Sequence, residues 1–183
     1  MCKKILFLLC FLPIQLVMAQ SILTNFPQGY TPEEVGNRLA YRFVEKYKIG
    51  DRKGIGYSDT FNWSGALKYA VVTKDEKLFN LLQNKFDSLF TTKKQILPKK
   101  THVDWNMFGS LPLEFYWITK EKRYLDMGMP YANTQWEVPE NAKAQEREWD
   151  AKGYSWQTRL WIDDMYMITV IQTQAYKVTG DRK

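Results

Sequence analysis

WQTRLWIDDMYMITVIQTQAYKVTGDRK, residues 156–183, is the stretch whose reading decides the fold. Ile168, Ile171, Ala175 and Val178 recur at spacings of three and four, one apolar face of a 3.6-residue helix. Thr179-Gly180-Asp181 ends it, and Trp161, Asp163 and Asp164 stand at its start. Either aspartate has a structural use there, because a helix start favours Asp as a cap. Side chains at a helix N-terminus can also face a cleft, so the pair is open to both readings.

The ending of this helix has two upstream counterparts. Val72-Thr73-Lys74-Asp75, Ile118-Thr119-Lys120-Glu121 and Val178-Thr179-Gly180-Asp181 share one phrase, and each closes an apolar helix. An aspartate precedes each Thr by 14 to 16 residues: Asp59, Asp104, and Asp163 or Asp164. The Thr-to-Thr period is 46 and then 60 residues. Repeated helix–turn–helix units stack to bury a common core. If the first helix of each pair lies inside, the acids converge at one end. With no β-alternating run of any length, the chain is expected to be all-α. The third unit reaches its turn just before Lys183 and lacks a second helix. The reading is therefore a fragment holding about half a domain.

The remaining elements follow from caps and stripes. Thr31-Pro32-Glu33-Glu34 reads as N-cap, first-turn proline and capping box. Val35, Leu39, Phe43 and Tyr47 form the stripe behind it. Residues 49–59, with Gly50, Gly54 and Gly56, read as a loop, and Phe61 to Val72 as a second helix. Thr73 to Glu76 is expected to cap a third, with Leu78, Leu82, Phe86 and Leu89 on one face. The lysines around Pro98 read as a solvated loop. Pro112 places the start of a fourth helix near Ser110, because proline suits only a first turn. A fifth runs from Lys122 to about Trp136, with Gly128 and Pro130 as flaws. Residues 137–155 read as a long irregular segment. His102, the only histidine, reads as a surface loop residue.

Residues 1–19 read as a secretory leader. Lys3 and Lys4 precede an apolar run from Ile5 to Val17, and Val17-Met18-Ala19 offers a small-residue cleavage site before Gln20. The run is short for a membrane span. Residues 20–30 then form an extended lead-in and 31–183 the folded domain. Both cysteines, Cys2 and Cys10, leave with the leader, so an exported, periplasmic or secreted, disulfide-free protein is expected. Loss of Lys3 and Lys4 lowers the net charge from +6 to +4. No basic stripe interleaved with aromatics suggests nucleic acid, no membrane contact is expected after cleavage, and no His/Cys cluster calls for a metal or other cofactor.

Arg159-Leu160-Trp161-Ile162-Asp163-Asp164-Met165-Tyr166-Met167, with Asp104-x-x-x-x-Gly109 and the repeated turns, resembles the unsaturated rhamnogalacturonyl hydrolases, glycoside hydrolase family 105, with the family 88 glucuronyl hydrolases as relatives. The resemblance spans about residues 31–183. It implies an (α/α)6 toroid of helical hairpins, of which this chain holds the N-terminal half. It also implies removal of a 4,5-unsaturated uronic acid from the non-reducing end of lyase-generated oligosaccharides. Carried over by position, Asp163 is the catalytic acid, Asp104 the second active-site acid and Trp161 the cleft tryptophan. The family's histidine nine residues before that tryptophan is replaced here by Lys152.

The substrate is an enol ether and can be protonated on carbon. Asp163 is expected to deliver the proton and Asp104 to bind sugar hydroxyls or orient water. Trp161, Trp105 and Trp63 are expected to form an apolar wall, and Arg159 or Lys152 to pair the substrate carboxylate. The helix dipole favours a charged Asp163, whereas a general acid needs burial or repulsion to keep its proton. Two other classes stand beside this reading. One is a non-catalytic glycan-binding or scaffold protein, to which a truncated 183-residue chain would be confined. The other is a sugar epimerase, disfavoured by the absence of paired histidines.

Overall fold

The computed structural model describes residues 25–49 and 54–181. The expected leader, both cysteines and part of the first glycine loop lie outside them. Contacts divide the chain into Met1–Leu39 and Ala40–Lys183. The described residues are all-α, as the spacings predict, with helices α1 (Pro32–Lys46), α2 (Tyr57–Thr73), α3 (Glu76–Asp87), α4 (Val103–Asn106), α5 (Ser110–Thr119), α6 (Lys122–Asn133), α7 (Ala144–Ala151) and α8 (Ile162–Thr179). None of the described helices is long and apolar enough to cross a membrane.

In the first unit the expected capping box forms. Thr31 N–H donates to the Glu34 carboxylate at 3.0 Å, and Glu34 N–H donates to Thr31 Oγ1 at 3.2 Å. The Arg38 guanidinium donates back to the Gly29 carbonyl at 2.6 Å.

In the second unit the repeated phrase has a physical cause. The hydroxyls of Thr73, Thr119 and Thr179 each donate to the carbonyl four residues back, at 2.8, 2.9 and 2.8 Å. Thr119 and Thr179 also accept the N–H two residues on. The next residue, Lys74, Lys120 or Gly180, turns left-handed at φ 57°, 62° and 73°. The phrase is thus a helix-ending device: the hydroxyl bonds back onto the last turn, and the N–H groups of Lys74, Lys120 and Gly180 take the terminal carbonyls of Val71, Tyr116 and Tyr176. At the first turn the cap of the following helix is Asp75, which accepts Leu78 N–H at 2.9 Å, and not Thr73, whose hydroxyl is already engaged.

The turns fold α2 against α3 and α5 against α6, and α8 packs on α5 and α6. Phe86 is at the centre of the core. Its ring meets Trp63, Phe108, Phe115 and Tyr124 at centroid distances of 4.8 to 6.0 Å, and all five side chains are buried. Burial of each such ring stabilises by roughly 2–3 kcal/mol. Tyr124 keeps its hydroxyl satisfied by donating to Asp87 at 2.6 Å. On α1 the inward face is Ala40, with Phe43, Val44 and Tyr47 packed against the same core. Leu39, unlike Phe43 and Tyr47 of the expected stripe, is exposed.

Three other boundaries differ from expectation. α2 begins at Tyr57, four residues early, because Asp59 accepts Gly56 N–H at 3.0 Å and starts the helix there. Residues 103–109 are already helical ahead of Ser110, and the 3-10 turn Met107–Gly109 lets Pro112 follow without a lost α-bond in mid-helix. The segment 137–155 contains α7. That helix buries no residue, so it has no apolar stripe to read; good helix formers and a Lys152–Glu148 pair at 2.6 Å support it instead.

Candidate active site

Two helix starts make the site. α4 begins after His102, which puts Asp104 at the second helical position; α8 begins after Trp161, which puts Asp163 at its second and Asp164 at its third. Buried Val103, Met107 and Met167, with Phe61, Ile168 and Val170 packed against them, join the two helices beneath the acids. A second tie is polar. Buried Asn106 donates through Nδ2 to Gln157 Oε1 at 2.9 Å, and Gln157 Nε2 reaches the Lys100 carbonyl at 3.2 Å. Buried amides of this kind are costly unless paired, and here they fix the 156–161 turn to α4.

Leu160 turns left-handed at φ 58°, a strained conformation for a leucine. The reversal lets two backbone N–H groups, from Arg159 at 2.5 Å and Trp161 at 3.4 Å, reach Asp164 Oδ2. Arg159 then closes the group. Its guanidinium donates to Asp164 Oδ1 at 2.5 Å, to Asp104 Oδ1 at 3.0 Å and, more loosely, to Asp163 Oδ2 at 3.5 Å. One oxygen from each acid lies within 4.8 Å of the others. The Trp161 ring covers the guanidinium at 4.2 Å.

The acids are not equivalent. The Asp164 side chain is 2% exposed and that of Asp163 48% exposed. Burial opposes ionisation of Asp164, but the Arg159 guanidinium and the N–H groups of Arg159 and Trp161 outweigh it, and its carboxyl is held below the ordinary carboxylate range. Asp164 is the helix-start carboxylate, as Asp59 is on α2. Asp104 and Asp163 share the preceding position, and neither is used to cap its own helix.

The other expected site residues separate. Trp161 and Trp105 are exposed beside the acids. Trp63 is fully buried, with Phe43, Tyr47 and Phe86 around its ring, so it belongs to the core and not to a cleft wall. Arg159 was expected to pair a substrate carboxylate; its fork is instead committed to the protein's own acids. Lys152 ends α7, pairs with Glu148 and lies over Trp149 at 5.3 Å, and so is spoken for locally. A row that the sequence reading missed adjoins Asp163: Tyr166 meets Phe61 at 5.2 Å, and Phe61 meets Tyr57 at 6.0 Å. Its signal was present in the i, i+4 spacing of Tyr57 and Phe61, hidden when that segment was read as a loop.

The family profile for Glycosyl Hydrolase Family 88 matches residues 33–183. This chain belongs to glycosyl hydrolase family 88. Neither a curated protein nor a solved structure matches it. Membership makes it a glycoside hydrolase of the class that acts on unsaturated uronic acid substrates. Of the two related families in the sequence resemblance, family 88 is the one matched.

Proposed function

We propose that the protein removes a 4,5-unsaturated uronic acid from the non-reducing end of oligosaccharides left by polysaccharide lyases. The observation that carries this is the division of labour at the start of α8: Asp164 is buried and consumed, while Asp163 is exposed beside Asp104. Asp163 gives its proton to C4 of the ring double bond. Cationic character develops at C5 and the ring oxygen, and water adds at C5. Asp104 holds that water or a ring hydroxyl, and the proton released by the water restores the acid. The hemiketal opens, the bond to the leaving sugar breaks and a keto uronate departs. An inverting acid–base pair needs about 6.5–9.5 Å between carboxyl groups with the sugar between them. Carboxylates this close do not fit an inverting pair, whereas enol-ether hydration can proceed with both acids on one face of the ring.

The leader read at residues 1–19 would place the protein outside the cytoplasm, where lyase products arise. Trp161 and Trp105 offer flat faces to the sugar ring. Unsaturated disaccharides from rhamnogalacturonan, ulvan and glucuronan lyases form the substrate panel, followed by loss of the enol-ether ultraviolet absorbance. Loss on any of them, abolished by Asp163→Asn, supports the assignment and names the substrate. A folded wild type without activity on the panel would move the reading to a binding role. Equal rates in the variant would keep the reaction and discard Asp163 as its acid.

A further inference from the structure

His102 was read from sequence as a loop residue, and the structure puts it under Asp104. The Asp104 N–H donates to His102 Nδ1 at 3.2 Å, so the neutral ring caps α4 and must carry its own proton on Nε2. The same Nδ1 lies 3.6 Å from Asp104 Oδ2. The ring packs on Trp105 at 5.5 Å, and Trp105 lines a cavity of about 400 Å³ with Gly54, Gly56, Leu97 and Lys99.

We infer that His102 is a positioning residue for Asp104: its ring caps the turn that carries the aspartate to the Arg159 fork. The inference rests on the reading of Asp104 as an active-site acid. A proton added to Nδ1 would face the Asp104 N–H, donor against donor, and the cap cannot persist. The nearest acceptor is then Asp104 Oδ2, the oxygen that Arg159 Nη1 approaches at 3.5 Å. The cap therefore needs the neutral ring.

The chain has a single histidine, so nitrogen-15 NMR of the whole protein reports this ring without ambiguity. The expected result is the Nε2–H tautomer, with the Asp104 amide protected from hydrogen exchange. His102→Asn keeps an acceptor for the cap, so protection should persist. His102→Ala should lose it. On the disaccharide that is turned over, His102→Asn should restore a rate close to that of wild type. His102→Ala should lower kcat by about five- to tenfold with KM little changed, the effect expected from a lost cap acting on chemistry. An Nδ1–H tautomer, or an Asp104 amide indifferent to His102→Ala, would overturn the inference. A wild type inactive on every substrate counts against the catalytic reading, and the NMR result then decides whether His102 holds Asp104.

Discussion

Arg159 and Asp164 are bound to each other through both main chain and side chain: the carboxylate accepts the Arg159 N–H at 2.5 Å, Nε at 3.0 Å and Nη2 at 2.5 Å. This geometry fixes the fork before it meets any other group. The guanidinium therefore reaches Asp104 and Asp163 from a set direction, and the loosest of its contacts is the one to Asp163. A single buried aspartate thus sets the direction of the fork that joins the other two acids.

Neighbouring carboxylates should respond to the same substitution in opposite ways. Asp163→Asn alters an exposed group and should leave the thermal midpoint unchanged while lowering kcat by about 10²–10⁴, the usual share of a general acid. Asp164→Asn breaks a buried, charge-assisted set and should cost on the order of 2–3 kcal/mol. Thermal denaturation and steady-state kinetics on the pair separate the two. Equal destabilisation by both would show that the acids share one structural role.

Acid should loosen this region through Asp164. Its folded pKa lies below the unfolded value of 3.8, so its contribution to stability is fully present above that value. The contribution is lost as pH falls through the lower folded pKa. Asp75 acts in the same direction, held low first by the Leu78 N–H. The thermal midpoint should therefore be flat from neutrality down to the unfolded carboxylate range and fall below it. Asp164→Asn should start lower and fall less steeply. A parallel fall in both proteins would assign the acid sensitivity elsewhere.

Arg159→Lys tests whether the fork organises acids or grips substrate. A lysine keeps one charge but cannot bridge three carboxylates in a plane. Loss of organisation should appear in kcat, by about 10²-fold or more, because misplaced groups fail at the transition state. Loss of a substrate grip would appear in KM with kcat kept. The committed geometry of Arg159 predicts the first outcome.

The helices were legible because their causes are local. The Thr31–Glu34 box, the three Thr turns and the stripe on α3 are each decided within a few residues. α7 escaped notice because a helix that buries nothing has no periodicity to read. Asp104 and Asp163 were named through the resemblance and the repeat, and the repeat alone did not separate Asp163 from Asp164, the acid that starts its helix. Trp63 and Arg159 were misjudged for a common reason. Whether an indole lies in a core or a guanidinium is already paired depends on contacts from distant parts of the chain, such as Phe86 and Asp104. The amide tie between Asn106 and Gln157 spans 51 residues and left no pattern to find.

Gly128 was read as a flaw in its helix, and the structure makes it one half of a close approach. A Cβ on Gly109 would lie 2.5 Å from Tyr131 Cβ and 2.9 Å from the Gly128 carbonyl; a Cβ on Gly128 would lie 2.6 Å from Leu113 Cγ and 3.0 Å from the Gly109 carbonyl. The glycine of the Asp-x-x-x-x-Gly motif is therefore a packing residue, which lets α6 lie against the turn that follows α4. Backbone and Cβ atoms cannot rotate away as a flexible side-chain end can, so the helices themselves must separate. Gly109→Ala should cost about 2–3 kcal/mol or more, and Gly128→Ala a similar amount. Because Gly109 lies five residues from Asp104 on a nearly continuous helical run, the separation should also shift Asp104 relative to Arg159 and reduce kcat. Gly65, whose added Cβ would meet nothing within 4 Å, supplies the control. Gly65→Ala should be neutral or slightly stabilising, by up to about 1 kcal/mol. Urea denaturation of the three variants distinguishes close packing from a general intolerance of alanine, which would destabilise all three alike.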